Sequence, residues 1–384
     1  MPPVSFGYFI LRKYIMQKVL RFVKKNVVLT VATVAALITC FFVPPSAEYI
    51  TYFDFRTLAC LFITLAVVCA LRQIRFFAIL ARRIVQMTGS LRMLALALVY
   101  ITFIGSMIIA NDMALITFLP LGYFALSVTN NEKYAALLFI LQNISANLGG
   151  MLTPFGNPQN LYLYSYFSIP TMEFMAIMLP PFILAVVLLT LCCLFFPKTS
   201  LSVDTELGVK LDVKKTVLYL ALFAVSILIV FRLVPWQAGL VVIPLVLWFA
   251  EREALYMVDY PLLGTFVMFF IFSGNLSQIS AVNNFAAALL EKSTLIVTAA
   301  SCQFISNVPS AILLSHFTDN YRELLLGVNI GGAGTPIASL ASLITLSEFR
   351  LLYPEKTGSY IKLFTALNVF FLVVMTAVAY FFFI

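Results

Sequence analysis

Two stretches of an otherwise apolar chain carry the residue types that bind ions. Asn147–Asn160 reads NLGGMLTPFGNPQN, and Asn329–Ser339 reads NIGGAGTPIAS. Both open with Asn, an apolar residue and Gly-Gly, and both reach Thr-Pro six residues after the Asn. The offset, 329 − 147 = 182, marks a long-period internal duplication. Each copy is preceded by a break of another kind, Ala110-Asn111-Asp112-Met113 and Ser306-Asn307-Val308-Pro309. Paired breaks at corresponding places in two apolar halves point to the binding site of a secondary transporter.

The chemistry of such breaks follows from the helix backbone. A helix interrupted inside a membrane frees N–H groups at one half-helix, which attract anions, and carbonyls at the other, which attract cations. Gly149-Gly150 and Gly331-Gly332 permit close backbone approach, and Pro154, Pro158 and Pro336 keep the helix from resealing. Asn111, Asn147, Asn157, Asn160, Asn307 and Asn329 supply amide oxygens and donors. Ser106, Ser306, Thr153 and Thr335 supply hydroxyls. These groups suit Na⁺ held between a hairpin tip and a broken helix. A single Gly-Gly is ordinarily a helix-packing contact and a single Asn a bond between helices; the duplicated constellation favours a transport site. Asp112, the one acid at a tip, reads either as a helix N-cap or as a proton carrier or cation ligand. His316, the only histidine, reads as a satisfied polar residue near the outer face. Cys192-Cys193 reads as packing in a lipid-facing helix.

The chain around these breaks has a membrane composition. Of 384 residues, 62% are hydrophobic and 10% charged, and the mean hydropathy is +1.03. Lipid must be the solvent for that much apolar surface. The net charge of +8 does not call for nucleic acid, because the basic residues fall in short loops on one side, the cytoplasmic one. Six cysteines lie in apolar runs without a Cys-His cluster, so neither disulfides nor a structural zinc is expected. No cofactor is expected beyond bound Na⁺.

The elements that must position the breaks can be read in order. Residues 1–26 alternate apolar and basic residues, as in a basic helix lying on the cytoplasmic leaflet. A first repeat spans 27–196: scaffold helices over 27–71, a re-entrant hairpin over 92–128 with its tip at Asn111, a broken helix over 134–168 and a helix over 172–196. The segment after the second span, with Arg72, Arg75, Arg82, Arg83 and Arg92, reads as a cytoplasmic loop. A polar cytoplasmic linker covers 197–215. The second repeat, 216–384, has scaffold helices over 216–280, a hairpin over 293–317, a broken helix over 324–346 and a last helix over 360–384. With the N-terminus inside, the second repeat is inverted against the first and the C-terminus is outside. The expectation is an all-α polytopic membrane protein with inverted repeats, nine crossings, two re-entrant hairpins and two broken transmembrane helices.

GNPQN at Gly156–Asn160, SNVP at Ser306–Pro309 and the paired Asn-x-Gly-Gly-x-x-Thr-Pro motifs resemble the ion transporter superfamily: arsenite permeases, citrate-type and divalent-anion/sodium symporters and their permease relatives. The resemblance runs from about Val27 onward. It implies a dimeric scaffold and an elevator-like transport domain. It places substrate beside Asn111, Asp112, Thr153, Asn157, Asn160, Asn307, Val308 and Thr335. It implies one cation site at Ser106, Asn111, Asn147, Gly149 and Gly150, and another at Cys302, Ser306, Asn307, Asn329 and Gly332. Dicarboxylate symporters of this type carry Ser-Asn-Thr at both tips; here the tips read Ala-Asn-Asp and Ser-Asn-Val. The Asn-Asp tip resembles arsenite-permease-like members and points to proton coupling through Asp112.

These readings predict a secondary transporter of a small anion or oxyanion coupled to Na⁺ or H⁺, or a citrate/dicarboxylate–sodium symporter. The compact chain suggests a prokaryotic inner membrane. A passive anion channel is the rival class; it needs a continuous polar lining, whereas polarity here is concentrated at four breaks. An intramembrane enzyme has no support, since the spans hold no paired acids, metal-ligand cluster or nucleophile–base pair.

Overall fold

The computed structural model describes residues 26–201 and 211–384, together with Lys18 and Val23. Most of the interfacial helix expected over 1–26 and much of the linker over 197–215 lie outside the described residues. The described residues form helices and the turns that join them, with no strand beyond an isolated bridge between Ser90 and Ser200. Eight of their helices are long and apolar enough to cross a membrane, or nine if the bent pair Ser280–Lys292 and Thr294–Ile305 is one span.

Helix starts follow capping chemistry. Asp54 accepts from Thr57 N at 2.9 Å, Asp259 from Leu262 N at 3.0 Å and Ser90 from Met93 N at 3.3 Å, each satisfying a backbone donor that the first turn leaves free. Inside the helices, the hydroxyls of Thr102, Ser145, Thr265 and Thr345 bond the carbonyl four residues back, so none meets the apolar surroundings unsatisfied. The segment after Phe55–Gln73 departs from the expected loop. It contains a helix, Phe76–Gln86, with Phe77, Ile79, Ala81 and Val85 buried and Arg82 and Arg83 exposed. Its arginines are the polar face of an amphipathic helix.

The chain forms two compact units. One comprises the residues up to Phe53 with Asp259–Asn283. In it, Val27–Cys40 packs on Tyr260–Gln278, Asn275 Nδ2 donates to Thr39 Oγ1 at 3.1 Å, and the Tyr52 ring lies against Gly274. The other unit holds Asp54–Val258 and Asn284–Ile384, and every break lies within it.

In that second unit four helix pairs meet end to end. The first hairpin joins Leu91–Ile109 to Asn111–Val128 through Ala110, and the second joins Thr294–Ile305 to Asn307–Leu314 through Ser306. The arms of the first hairpin are 19 and 18 residues long. The first broken helix runs Ala135–Gly149, then Pro158–Tyr166 with Pro158 at its first turn; the second runs Tyr321–Ile330, then Leu340–Leu352. Thr171–Cys193 stays one helix through Pro180 and Pro181.

Candidate functional site

Both hairpin tips have the same unusual backbone. Ala110 lies at φ 65°, ψ 154° and Ser306 at φ 72°, ψ 160°. A non-glycine residue there costs on the order of 1–3 kcal/mol and persists only where its surroundings hold it. The next residue is Asn in each case, and its side-chain oxygen accepts from the following backbone N–H: Asp112 N to Asn111 Oδ1 and Val308 N to Asn307 Oδ1, both 2.9 Å. Each tip thus opens a new helix with its amide group fixed.

The tips dock on the breaks. Asn111 Nδ2 donates to Asn147 Oδ1 at 3.3 Å. On the other side, Asn307 N donates to Ala338 O at 2.9 Å and Ser306 Oγ to the same carbonyl at 3.3 Å. The Asn307 amide faces Gly332, and Asn147 Oδ1 lies on the same side of that glycine. Asn111, Asn147, Asn157, Asn160, Asn307 and Asn329 are all buried.

The asparagines link into a chain. Asn157 Nδ2 donates to Asn147 O at 3.2 Å and Asn329 Oδ1 at 3.4 Å. Asn329 Nδ2 donates to Asn160 Oδ1 at 2.6 Å. Asn160 Nδ2 then donates to the carbonyls of Gly150, Met151 and Thr153 at 3.1, 3.3 and 3.4 Å. These carbonyls are the ones the break leaves without helical partners.

The two threonines of the Thr-Pro pairs make one matched bond each. Thr153 Oγ1 donates to Met107 O at 3.1 Å, and Thr335 Oγ1 to Gln303 O at 3.0 Å. Met107 and Gln303 both stand four residues before their tip asparagine. Both hydroxyls therefore tie a broken helix to the facing hairpin. Gly149 packs directly on hairpin backbone: a Cβ there would meet Phe103 O, with Ser106 Oγ at 2.6 Å. Ser106 Oγ itself donates to Phe103 O at 2.8 Å. A Cβ on Gly150 would run into Asn157 Oδ1. In the second half Cys302 occupies the place of Ser106, five residues before the tip, and its Sγ lies against Gly331.

Asp112 lies in the first turn of Asn111–Val128 and is half-buried. A carboxylate suits that position on a helix dipole. His316 stands apart from the cluster, its Nδ1 3.5 Å from Tyr166 OH and its Nε2 buried.

Sodium is the ion implied by the resemblance, and the residues assigned to it divide. The first set offers the oxygens Ser106 Oγ, Asn111 Oδ1 and Asn147 Oδ1; Asn157, expected beside the solute and not in that set, adds Oδ1 next to Gly150, buried without a hydrogen-bond partner among the described residues. That donor set fits a hard cation. The second set brings a thiol at Cys302.

Two groups near the site escaped the reading of the sequence. Gln303 fills the second break from the hairpin side; its signal is a polar residue one helical turn before Asn307 in an apolar arm. Asn143, one turn before Asn147, donates to Ser342 Oγ at 3.3 Å and accepts from Thr345 Oγ1 at 3.4 Å. It joins the first broken helix to the second.

Strained tips, duplicated breaks and a buried amide chain among membrane-length helices are the makings of a membrane transporter rather than of a soluble fold. Residues 8–321 match the citrate transporter family, and the chain belongs to that family. It is similar to an uncharacterized transporter of Methanocaldococcus jannaschii, 33% identical over 295 residues that cover 76% of this chain and 80% of the relative. It is also similar to the inner membrane protein YbiR of Escherichia coli, 30% identical over 281 residues, 71% of this chain and 73% of the relative.

Proposed function

We propose that this integral membrane protein is a secondary active transporter of the elevator type. It carries a small anion or oxyanion coupled to Na⁺ or H⁺ and works as a homodimer in a prokaryotic inner membrane, with its N-terminus in the cytoplasm and its C-terminus outside. The matched bonds of Thr153 to Met107 O and Thr335 to Gln303 O carry this reading. They support two inverted repeats, each a hairpin closed on a broken helix. The hairpins are re-entrant in this account, so that Asn111 and Asn307 meet the breaks at mid-membrane instead of facing lipid, where an amide would be costly.

The solute sits between the two tips. Asn111, Asp112, Asn157, Asn160, Asn307 and Val308 surround it, with Thr153 and Thr335 holding the broken helices to the hairpins. The backbone N–H groups that open Asn111–Val128, Asn307–Leu314 and Leu340–Leu352 favour a negative charge. The coupling cation belongs with Ser106, Asn111, Asn147, Gly149, Gly150 and Asn157. When bound, it supplies positive charge beside the anion. Asp112 is the group that carries a proton if coupling is to H⁺. The description of the family names citrate, which makes a tricarboxylate the first solute to test.

A thermal-shift screen of the purified chain tests the reading, since a ligand of the folded state raises its stability. The panel is Na⁺, Li⁺, a pH series, citrate, succinate, sulfate, phosphate and arsenite. At least one anion is expected to stabilise the protein. Its effect should be enhanced by Na⁺, or by acid in a way that Asp112→Asn abolishes. No stabilisation by any anion, or an acid response unchanged in Asp112→Asn without a Na⁺ effect, would sink it.

A further inference from the structure

The second break differs from the first in what satisfies its carbonyls. Gln303 Nε2 donates to Gly331 O at 2.9 Å and Ala333 O at 3.1 Å, and to Ala299 O of its own helix at 3.0 Å. Its Oε1 accepts from Thr335 N at 2.8 Å. The amide is thus bonded through both of its ends, and it comes from the hairpin, not from the broken helix. Room for it is built in: Gly334 lies at φ 119°, and a Cβ on that residue would collide with Gln303 Oε1. At the first break the amide that meets the freed carbonyls is Asn160, from the broken helix itself, and Met107 stands at the hairpin position equivalent to Gln303.

We infer that Gln303 is a resident substitute for a cation at the second break, so that this transporter holds no Na⁺ there. The inference rests on the transporter reading and narrows its ion coupling. Carbonyls freed by a broken helix carry partial negative charge and need either a cation or N–H donors. Here an amide carrying partial positive charge meets two of them at hydrogen-bond distance, and its three nitrogen contacts exceed the two protons it has to give. Cys302 adds a second reason. At the place where the first hairpin presents the Ser106 hydroxyl, the second presents a thiol packed on Gly331, a soft group that does not suit Na⁺. The two breaks are therefore unequal: the first has carbonyls met by its own Asn160 but keeps the Ser106 hydroxyl and the buried, unpartnered Asn157 Oδ1, whereas the second is filled from the hairpin by an amide bonded at both ends. Cys302, Ser306, Asn307, Asn329 and Gly332 then serve the solute and the hairpin contact, not a second ion. Gln303 becomes the residue that sets ion stoichiometry.

The test compares the full-length protein in NaCl and in choline chloride at equal ionic strength. Gln303→Ala empties the carbonyl cage, and Gln303→Glu keeps the oxygen that accepts from Thr335 while removing the amide protons. Both variants are expected to melt lower in choline and to gain a saturable Na⁺-dependent rise of roughly 2–4 °C beyond that of wild type. Cys302→Ala should leave the wild-type Na⁺ response unchanged, whereas Ser106→Ala should remove it. Equal Na⁺ shifts in wild type and both Gln303 variants would overturn the inference. Equilibrium binding of ²²Na⁺ to wild type needs no variant: at most one ion per chain is expected, and two would overturn it. Absence of solute uptake would count against the transporter reading and leave this ion count untouched.

Discussion

Asn329 Nδ2 donates to Asn160 Oδ1 at 2.6 Å, joining two motifs 169 residues apart in the chain. Asn329 Oδ1 accepts from Asn157 Nδ2 at 3.4 Å, so one amide of the second break meets two of the first. Both partners are buried at 1% exposure or less, where water cannot replace a lost bond. Asn329→Ala should therefore cost about 1–3 kcal/mol, the range for stranding a buried polar group. It should also abolish stabilisation by the solute. Thermal unfolding of the purified variant, with and without solute, checks both.

The contact of Gly149 with the first hairpin leaves no space for a methyl group. Its Cβ would press on Phe103 O, a backbone atom that cannot swing aside, and on Ser106 Oγ. Gly149→Ala should destabilise the protein by roughly 1–3 kcal/mol through overpacking. Gly89→Ala is the control, since nothing lies within 4 Å of that position. Equal melting temperatures for the two variants would show that the first break does not close on its hairpin in this way.

Acid should weaken the fold through His316, whose imidazole burial pushes down from 6.5 to about 4. Between those values the unfolded chain takes up a proton that the folded chain refuses. Stability is therefore complete above about pH 6.5 and declines as pH falls toward 4. Melting curves through that window should slope less steeply for His316→Gln than for wild type. Superimposable slopes would mean that the ring is not held neutral against Tyr166.

Arg232 offers a test of the elevator. It follows the helix Val213–Val230, and its guanidinium donates to Tyr164 O at 2.6 Å and Ser168 O at 3.1 Å, with the Tyr164 ring 4.5 Å away. These carbonyls end the second half of the first broken helix. In the proposed elevator, with Val213–Val230 assigned to the scaffold, these carbonyls would have to separate from that helix once per cycle. Arg232→Cys with Ser168→Cys, joined by a short cleavable thiol cross-linker, should lose transport while keeping the solute-induced melting shift, and cleavage should restore transport. Undiminished transport by the cross-linked protein would rule the elevator out.

The breaks were legible because they violate the rules of their surroundings. Gly-Gly, Thr-Pro and Asn in an apolar run have no business in a continuous membrane helix, and the helices end where these residues stand, at Ile109, Gly149, Ile305 and Ile330. Helix existence was legible for the same reason. The helix Phe76–Gln86 was not, since its closely spaced arginines read as a loop until its apolar face is set against the core. Gln303 was hidden by a different cause. A lone Gln in an apolar arm looks like a bond between helices, and only the fold reveals that its amide meets the carbonyls of Gly331 and Ala333. Asn143 was missed because its partners, Ser342 and Thr345, lie on a helix about two hundred residues away. Periodicity sees one helix at a time and cannot register such pairs.

The central claim is alternating access at a site between the Asn111 and Asn307 tips. Counterflow in proteoliposomes tests it most directly, using labelled anion outside and a gradient of the same unlabelled anion inside. The account predicts saturable uptake that internal solute accelerates, and loss of that uptake in Asn307→Ala. Flux that rises linearly with concentration, ignores solute on the far side and survives Asn307→Ala would contradict it and identify a pore.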